Sequence, residues 1–167
     1  HGLQDAGTLD ALCKTCAVIV SVCPPHAAEE QARQVIAAGF AGLYVDANAI
    51  APERMRRISA VMTQAGAGCV DGGIIGGPAW KPNSTWLYLS GPRASDIAAL
   101  FSAGPLETQV LGDDIGAASA LKMCYAAYSK GTTALLSGVL AASERLNVRD
   151  ALTAQWNRDD AAFAQQA

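Results

Sequence analysis

The feature that most constrains this chain is the alternation of short apolar runs with segments of helical length. The runs at residues 17–23, 43–46 and 69–71 are each too short for a stable helix and contain β-branched side chains. Segments over residues 26–38 and 52–64 separate these runs and carry helix-terminating signals. Strands that alternate with helices predict right-handed crossovers and a parallel sheet, so the fold class is α/β. We expect the first run to be buried on both faces of that sheet.

The alternation continues and then stops. Two more strands are predicted over residues 86–90 and 109–111, and a helix between them over residues 94–101. From Asp114 to Leu146 there is no proline, which predicts one helix of about 30 residues and about 45 Å. Asp113 or Asp114 can cap its start and Asn147 can end it. The helix is apolar nearly all round, so we expect it to be buried on several sides.

The predicted domain boundary lies near residue 113. Beyond the long helix, a further helix is predicted from about Arg149 to Trp156, and residues 157–167 are also expected to be helical. The chain begins without methionine and enters a strand within about two dozen residues, so we interpret it as part of a longer chain.

Charge and composition exclude several classes of partner. The formal net charge is −3 and 51% of the residues are hydrophobic, which supplies a core but no basic stripe for nucleic acid or anionic lipid. The most apolar stretch, over residues 115–142, is interrupted by Lys122 and Lys130, so no membrane span is predicted.

The five cysteines indicate a reducing compartment. An odd number of cysteines scattered through apolar segments fits free thiols in the cytoplasm better than a disulfide framework. Cys13 and Cys16 form a C-x-x-C, but no second pair or nearby histidine accompanies them. We therefore expect no metal site, and buried free cysteines are favoured over a redox pair.

Three segments follow predicted strands and are candidate ligand-binding loops. In open parallel sheets, ligands bind beyond the carboxyl ends of the strands, here residues 22–26, 46–49 and 71–78. The last segment has glycine at four positions, 72, 73, 76 and 77, which would expose backbone N–H groups to an anion. A mobile loop that joins two strands explains the same composition equally well.

Lys122 is the most informative charged residue. On the long helix it shares one face with Ser119, Tyr125, Ala126 and Ser129, by the three- and four-residue neighbour rule. Its other neighbours are alanine, leucine and methionine, so its ammonium either extends to solvent or occupies a partly buried site. Partial burial would make it a general base near neutral pH.

Three motifs in order resemble a known family. They are Val45–Pro52 (VDANAIAP), Val70–Pro78 (VDGGIIGGP) and Ile115–Met123 (IGAASALKM). Over residues 17–150 the chain resembles the 3-hydroxyisobutyrate and 6-phosphogluconate dehydrogenase (β-hydroxyacid dehydrogenase) family. The resemblance is strongest to a bacterial 6-phosphogluconate dehydrogenase NAD-binding-like branch with a helical C-terminal domain of unassigned function.

The resemblance implies an architecture. Residues 1–113 would be the C-terminal part of a Rossmann-like, dinucleotide-binding sheet domain. Residues 114–167 would be a long interdomain helix and the beginning of an all-α domain. The family's G-x-G-x-x-G turn is absent, so we expect the chain by itself to bind NAD(P) poorly and to lack activity.

The resemblance also implies a chemistry. The protein would be an NAD(P)-dependent oxidoreductase that transfers hydride between the nicotinamide and a hydroxyacid or related carbonyl substrate. Lys122 would be the catalytic base, and the N–H groups of Gly76 and Gly77 would hold the substrate carboxylate. The nicotinamide half of NAD or NADP would contact Val22, Cys23, Pro24 and Asn48.

Two departures from the family pattern concern the substrate. Ile75 stands where the family usually has serine, and Tyr125 and Ala126 stand where it has asparagine. The departures suggest a larger or less polar substrate, with Tyr125 or Ser119 supplying the lost hydrogen bond. The alternative is a non-catalytic interaction module derived from the family, but the retained Lys122 favours an enzyme.

The end of the chain predicts an assembly. A homodimer through residues 130–167 would cover apolar side chains that a lone monomer exposes, namely Leu135, Leu136, Val139, Leu140, Trp156 and Phe163. Further C-terminal helices of the same subunit could cover the same face.

Overall fold

The computed structural model describes residues 2–159, which form a five-stranded sheet with helices. The strands are β1 (Val18–Ser21), β2 (Leu43–Asp46), β3 (Gly68–Gly76), β4 (Thr85–Ser90) and β5 (Glu107–Val110). The helices are α1 (Leu9–Thr15), α2 (Ala28–Ala37), α3 (Pro52–Gln64), α4 (Ala94–Phe101), α5 (Ala117–Arg145) and α6 (Arg149–Asp159), with a 3₁₀ turn at Pro25–Ala27.

The sheet has the sequential order β1-β2-β3-β4-β5 and is mostly parallel. The α/β class is thus confirmed, but β4 runs antiparallel to β3, which the parallel prediction had wrong. Only residues 77–84 join these two strands. A parallel connection needs a crossover of a dozen or more residues, so this short loop permits only an antiparallel partner.

The glycine-rich segment is strand and not loop. It was predicted to follow a strand ending at Asp71, but β3 continues to Gly76 and pairs with β4 as far as Thr85. The prediction of burial on both faces for β1 was also wrong. Among the described residues β1 pairs only with β2, and Val20 is 40% exposed at this edge.

Buried side chains alternate between the two faces of the sheet, as the two-residue period of strands requires. Tyr44 and Cys69 join the core formed with α1, α2 and α3. Val45 and Val70, one residue further along, join the core that α4 covers. Helices on both faces bury the central strands, as expected for an α/β sheet.

Helix α1 was not predicted, although the sequence carries a local signal for it. Thr8 precedes the helix in an extended conformation, and its hydroxyl accepts a hydrogen bond from the N–H of Ala11 at 3.1 Å. A threonine at that place is a recognised helix-start residue. The helix is only seven residues long, so its apolar periodicity is too brief to stand out.

The long helix is confirmed as α5, with 29 residues. Asn147, two residues after its last helical residue, terminates the helix as predicted and has a left-handed φ of 55°. The N–H groups of Asn147 and Val148 donate to the carbonyl oxygens of Glu144 and Ser143, which is the Schellman arrangement with Asn in place of Gly.

The chain divides into two compact units after Met123, within α5. The first unit holds the sheet and the first two turns of α5, whereas the predicted domain boundary near residue 113 placed the whole helix beyond it. In the second unit, Tyr128 and Leu135 are more than two thirds exposed, so this part of α5 is not buried on several sides as expected. Over residues 2–159, no helix is both long and apolar enough to cross a membrane.

Candidate functional site

Four polar side chains lie in register across four neighbouring strands. Ser21 on β1 pairs with Asp46 on β2, Asp46 with Asp71 on β3, and Asp71 with Ser90 on β4. The two carboxylates and Ser90 are completely buried. Residues paired in register project from the same face, so the four form one polar row at the point where β1 and β2 end, buried at Asp46, Asp71 and Ser90 and partly buried at Ser21.

Asn48 uses this row to hold the loop that follows β1. Its Oδ1 accepts from the N–H of Cys23 at 2.6 Å, and its Nδ2 donates to Ser21 Oγ at 3.1 Å. Its own N–H donates to Asp46 Oδ1 at 3.0 Å. The carboxamide therefore ties the loops after β1 and β2 together at the carboxyl ends of adjacent parallel strands, where ligands bind in such sheets.

Asp71 caps the start of α5 from the neighbouring strand. Its Oδ2 accepts from the N–H groups of Gly116 and Ser119, at 3.0 and 2.9 Å, and its Oδ1 accepts from Ser119 Oγ at 2.6 Å. The hydroxyl of Ser90 donates to Asp71 Oδ2 at 3.1 Å and accepts from the N–H of Ala118, also at 3.1 Å. Side chains of β3 and β4 thus satisfy three early N–H groups that a helix start leaves without an internal partner.

The prediction that Asp113 or Asp114 caps α5 was therefore wrong. Both are exposed, and Asp114 lies 3.8 Å from the guanidinium of Arg56 instead. Gly116 separates them from the helix with a φ of 108°, a conformation that favours glycine. This turn brings the first residues of α5 over β3, where Asp71 is within reach.

Lys122 lies one helical turn beyond this cap. It is partly buried, and its Nζ donates to the carbonyl oxygen of Ile74 on β3. The sequence allowed an ammonium that extends to solvent or one in a partly buried site, and the structure shows the partly buried site. Gly73 permits this approach, because a Cβ there would lie 2.8 Å from the Ala118 carbonyl oxygen and 3.3 Å from Lys122 Cβ.

The loops after β1 and β2, the end of β3 and Lys122 enclose a cavity of about 330 Å³. That volume lies at the lower end of the range for small-molecule sites. Five predicted site residues line it, namely Val22, Cys23, Asn48, Gly76 and Lys122. The remaining wall is mainly apolar and comes from Pro25, Ala47, Ala49 and Ile74.

Other predicted site residues lie elsewhere. Pro24 and Gly77 are adjacent to lining residues in sequence but do not line the cavity. Ser119 is 1% exposed and its hydroxyl is engaged by Asp71, an arrangement that does not support substrate contact. Tyr125 is half exposed and belongs to the second unit, so its substrate contact stays a prediction. Ile75 is buried away from the cavity, so its departure from the family pattern does not alter the lining.

Asp46, Asp71 and Ser90 were missed as determinants of this site. A signal was available, because Asp46 and Asp71 each directly follow an apolar pair at the end of a predicted strand. Charged residues are almost never fully buried unless they are paired, so two such carboxylates indicate a specific role. Their partners lie up to 48 residues away, and the sequence does not show which groups those are.

Burial dominates the electrostatics of the row. It raises the pKa of Asp46 from 3.8 to about 6, and the nearby charge of Asp71 adds to the increase. Hydrogen bonds from Asn48 act in the opposite direction. Asp46 Oδ2 is buried without a hydrogen-bond partner, which is consistent with a carboxyl group that holds a proton.

Within residues 2–159, no group of three or more His, Cys, Asp or Glu side chains could hold a metal ion. The cysteines at 13, 16, 23, 69 and 124 are free thiols. Burial raises the pKa of Cys69 to about 12, so this thiol is not a nucleophile at neutral pH.

Solved structures of other proteins share this fold. MTH1747, a conserved protein of unknown function described as structurally similar to 3-hydroxyacid dehydrogenases, is 29% identical with a TM-score of 0.73, over 99% of this chain. A Myxococcus stipitatus imine reductase variant in complex with NAD⁺ is 23% identical with a TM-score of 0.73, over 95% of this chain. Mycobacterium tuberculosis 3-hydroxyisobutyrate dehydrogenase, solved with L-serine, is 18% identical with a TM-score of 0.65, over 89%.

These similarities confirm the resemblance drawn from the three motifs: the chain has the fold of 3-hydroxyacid dehydrogenase-like proteins. It spans 62%, 57% and 53% of the three proteins' own lengths. No family model matches the sequence, and no curated protein matches it.

Proposed function

We propose that this chain is part of an NAD(P)-dependent oxidoreductase of the 3-hydroxyacid dehydrogenase type. The observation that carries the proposal is the position of Lys122, which lines one cavity together with Asn48 and the loop after β1. A cationic amine, a carboxamide and an apolar wall at the carboxyl ends of parallel strands suit hydride transfer to or from a small polar substrate.

The cavity residues fit a nicotinamide ring. Val22, Pro25 and Ala49 give an apolar surface for the ring, and Cys23 lines the same cavity. The carboxamide of Asn48, which holds the loop of Cys23, also lines the cavity and would face the polar edge of the ring. Bound there, NAD or NADP would accept or supply the hydride.

Lys122 supplies the proton chemistry in this proposal. In oxidation, hydride leaves the carbinol carbon and the hydroxyl proton passes to Nζ of neutral Lys122, which yields a carbonyl product and an ammonium. In reduction the ammonium returns that proton to the forming alkoxide. The bond from Nζ to the Ile74 carbonyl fixes where the proton is taken or given.

The substrate contacts, the cellular location and the assembly of the protein are also part of the proposal. Gly76 borders the cavity, and its backbone N–H, with that of the adjacent Gly77, would hold the substrate carboxylate. The substrate is thus a small hydroxyacid or related carbonyl compound. Free thiols suit a cytoplasmic protein, and we propose that it acts there as a homodimer.

Replacement of Lys122 by Met tests the proposal. In the intact protein, with a panel of hydroxyacids and NAD⁺ or NADP⁺, or with a panel of carbonyl compounds and imines and NADH or NADPH, turnover is expected to fall by about 10²–10⁴, the usual contribution of a general base. The Kd of the cofactor should change little. Lys130→Met is the matched control, because Lys130 is exposed on the same helix.

The same measurement separates the enzyme from a non-catalytic module. Near-normal turnover in Lys122→Met would contradict the assigned role of the lysine. No turnover of any panel substrate by the unmodified protein, with cofactor bound, would favour the module. A preference for imines over hydroxyacids would keep the oxidoreductase and reject the substrate class.

A further inference from the structure

A buried carboxylate beneath the start of α5 is not used in the proposed reaction. Asp71 receives four hydrogen bonds from two elements, β4 and the start of α5, and is completely buried. It does not line the cavity and so does not meet a ligand there. We infer that Asp71 is a positioning residue for Lys122, an inference that rests on the proposed role of that lysine.

The path from Asp71 to the lysine is short and rigid. Ser119, which is bonded to Asp71 through both N–H and hydroxyl, lies three residues before Lys122 and on the same helical face. A carboxylate at a helix N-terminus also interacts favourably with the helix dipole. Asp71 therefore sets both the position and the rotation of the first turn of α5, and with them the direction of the Lys122 side chain.

Strand β3 holds the lysine at its other end. Ile74, whose carbonyl oxygen accepts from Lys122 Nζ, lies on the same strand three residues after Asp71. Gly73, between them, lets the helix lie against the strand without a side chain in between. Residues 71–74 of β3 thus act together on α5. Asp71 positions the helix start, Gly73 sets how closely the helix approaches the strand, and the Ile74 carbonyl positions the Lys122 ammonium.

The cap comes from the neighbouring strand and not from the residues before the helix. A cap from Asp113 or Asp114 would stabilise α5 but would leave the helix free to shift along the sheet. A cap from β3 couples helix formation to helix placement, because its hydrogen bonds exist only when α5 lies over the strand. Precise placement matters to a proton-transfer group, since a displacement of about 1 Å can lower a rate by about 10²-fold.

The test combines kinetics with a direct probe of the lysine. Asp71→Asn removes the charge and keeps the size, and Asp113→Asn is the matched control at an exposed carboxylate. With lysines labelled by ¹³C at Cε, the Lys122 resonance is assigned from its loss in Lys122→Arg. The sequence has four lysines, so few resonances compete.

In Asp71→Asn we expect the Lys122 resonance to move toward that of an exposed lysine, while those of Lys14, Lys81 and Lys130 stay in place. We expect kcat to fall by about 10- to 100-fold, by loss of placement, with KM and cofactor Kd nearly unchanged. Asp113→Asn should change neither the Lys122 resonance nor kcat. An unchanged Lys122 resonance and unchanged kcat in a folded Asp71→Asn protein would overturn the inference.

A second variant covers a failure to fold. Ser119→Ala removes only the 2.6 Å hydroxyl bond and leaves the backbone bonds to Asp71, so a folded protein with a smaller shift in the same direction is expected. If the Lys122 resonance does not shift in Ser119→Ala and Asp71→Asn does not fold, Asp71 has only a stabilising role. That result would overturn the inference. If the resonance moves but no substrate is turned over, positioning stands and the proposed function fails.

Discussion

Asp46 and Asp71 are neighbours in register, and both are fully buried, yet their surroundings differ. Asp71 has four donors, whereas Asp46 is held by Asn48, whose N–H donates to Oδ1, and has no partner on Oδ2. A buried carboxylate without donors favours its protonated form, which is why burial raises the pKa of Asp46 to about 6. Burial without a donor on Oδ2 thus favours the protonated form of Asp46, whereas four hydrogen-bond donors surround the carboxylate of Asp71.

This difference predicts a pH-dependent stability. The folded protein binds a proton at Asp46 more tightly than the unfolded chain, so the free energy of unfolding should fall as pH rises from about 4 to about 6 and then level off. A shift of about two pKa units corresponds to at most about 3 kcal/mol. Asp46→Asn should remove this part of the slope in urea titrations at a series of pH values.

Exposed Asp113→Asn serves as the control for that titration and should keep the slope of the unmodified protein. Equal slopes in Asp46→Asn and the unmodified protein would mean that Asp46 is ionised across this range. Asp71 and the hydrogen bonds of Asn48 are the groups that act on Asp46, so neither should be altered in the same experiment.

At the scale of elements, β3 and α5 do most to build the site. In β3, Asp71 and Ile74 accept hydrogen bonds from α5, and Gly73 lies against that helix. Gly76 of the same strand lines the cavity. α5 changes character along its length: its first turns pack closely on β3, while its later turns carry exposed Tyr128 and Leu135. Its glycines therefore have different roles according to where they lie.

Gly138, in the later turns, is expected to be replaceable. A Cβ there meets nothing within 4 Å, and alanine is favoured over glycine inside a helix by about 0.5–1 kcal/mol. Gly138→Ala should raise the free energy of unfolding by about that amount. Gly116→Ala is the contrasting variant and should lower it, because its φ is 108° and its Cβ would lie 3.1 Å from the Arg56 guanidinium. A loss of stability in Gly138→Ala would mean that another helix or chain packs against Gly138.

At the scale of the whole molecule, the described chain is less than two thirds as long as the proteins whose fold it shares. Its second unit, from Cys124, exposes Leu135 by 70% and Val139 by 37%, while Leu136, Leu140 and Trp156 are partly buried. Phe163, also part of the predicted interface, lies outside the described residues. Exposed apolar groups at helical spacing are typical of a surface that another chain or helix covers.

A homodimer through residues 130–167 therefore stays a prediction, and Leu135→Asp tests it. A carboxylate buried in an apolar interface is strongly unfavourable, so light scattering should show a dimer for the unmodified protein and a monomer for the variant. Leu100→Asp on α4 is the control, since Leu100 is 63% exposed outside the predicted interface. An unmodified protein that is monomeric at tens of micromolar would contradict the dimer and assign the leucines to helices of the same subunit.

The sequence by itself determined the elements whose signals are local. The bounds of β2, α3 and α4 were predicted to the residue, and Asn147 was identified as the end of α5. Turn residues, helix-start prolines and apolar periods act within a few positions, so they can be identified without the fold. The apolar neighbours of Lys122 left both solvent exposure and partial burial open, and the catalytic role that its motif implies stays a prediction.

Only the tertiary structure decided what meets across long separations. The direction of β4, the cap that Asp71 gives to α5, and the cavity shared by Lys122 and Asn48 depend on strand register and helix placement. The sequence placed the cap at Asp113 or Asp114 because adjacent residues are the usual source of a cap. Asp71 takes that role because packing of α5 on β3 brings a buried carboxylate to N–H groups that adjacent residues leave unpaired.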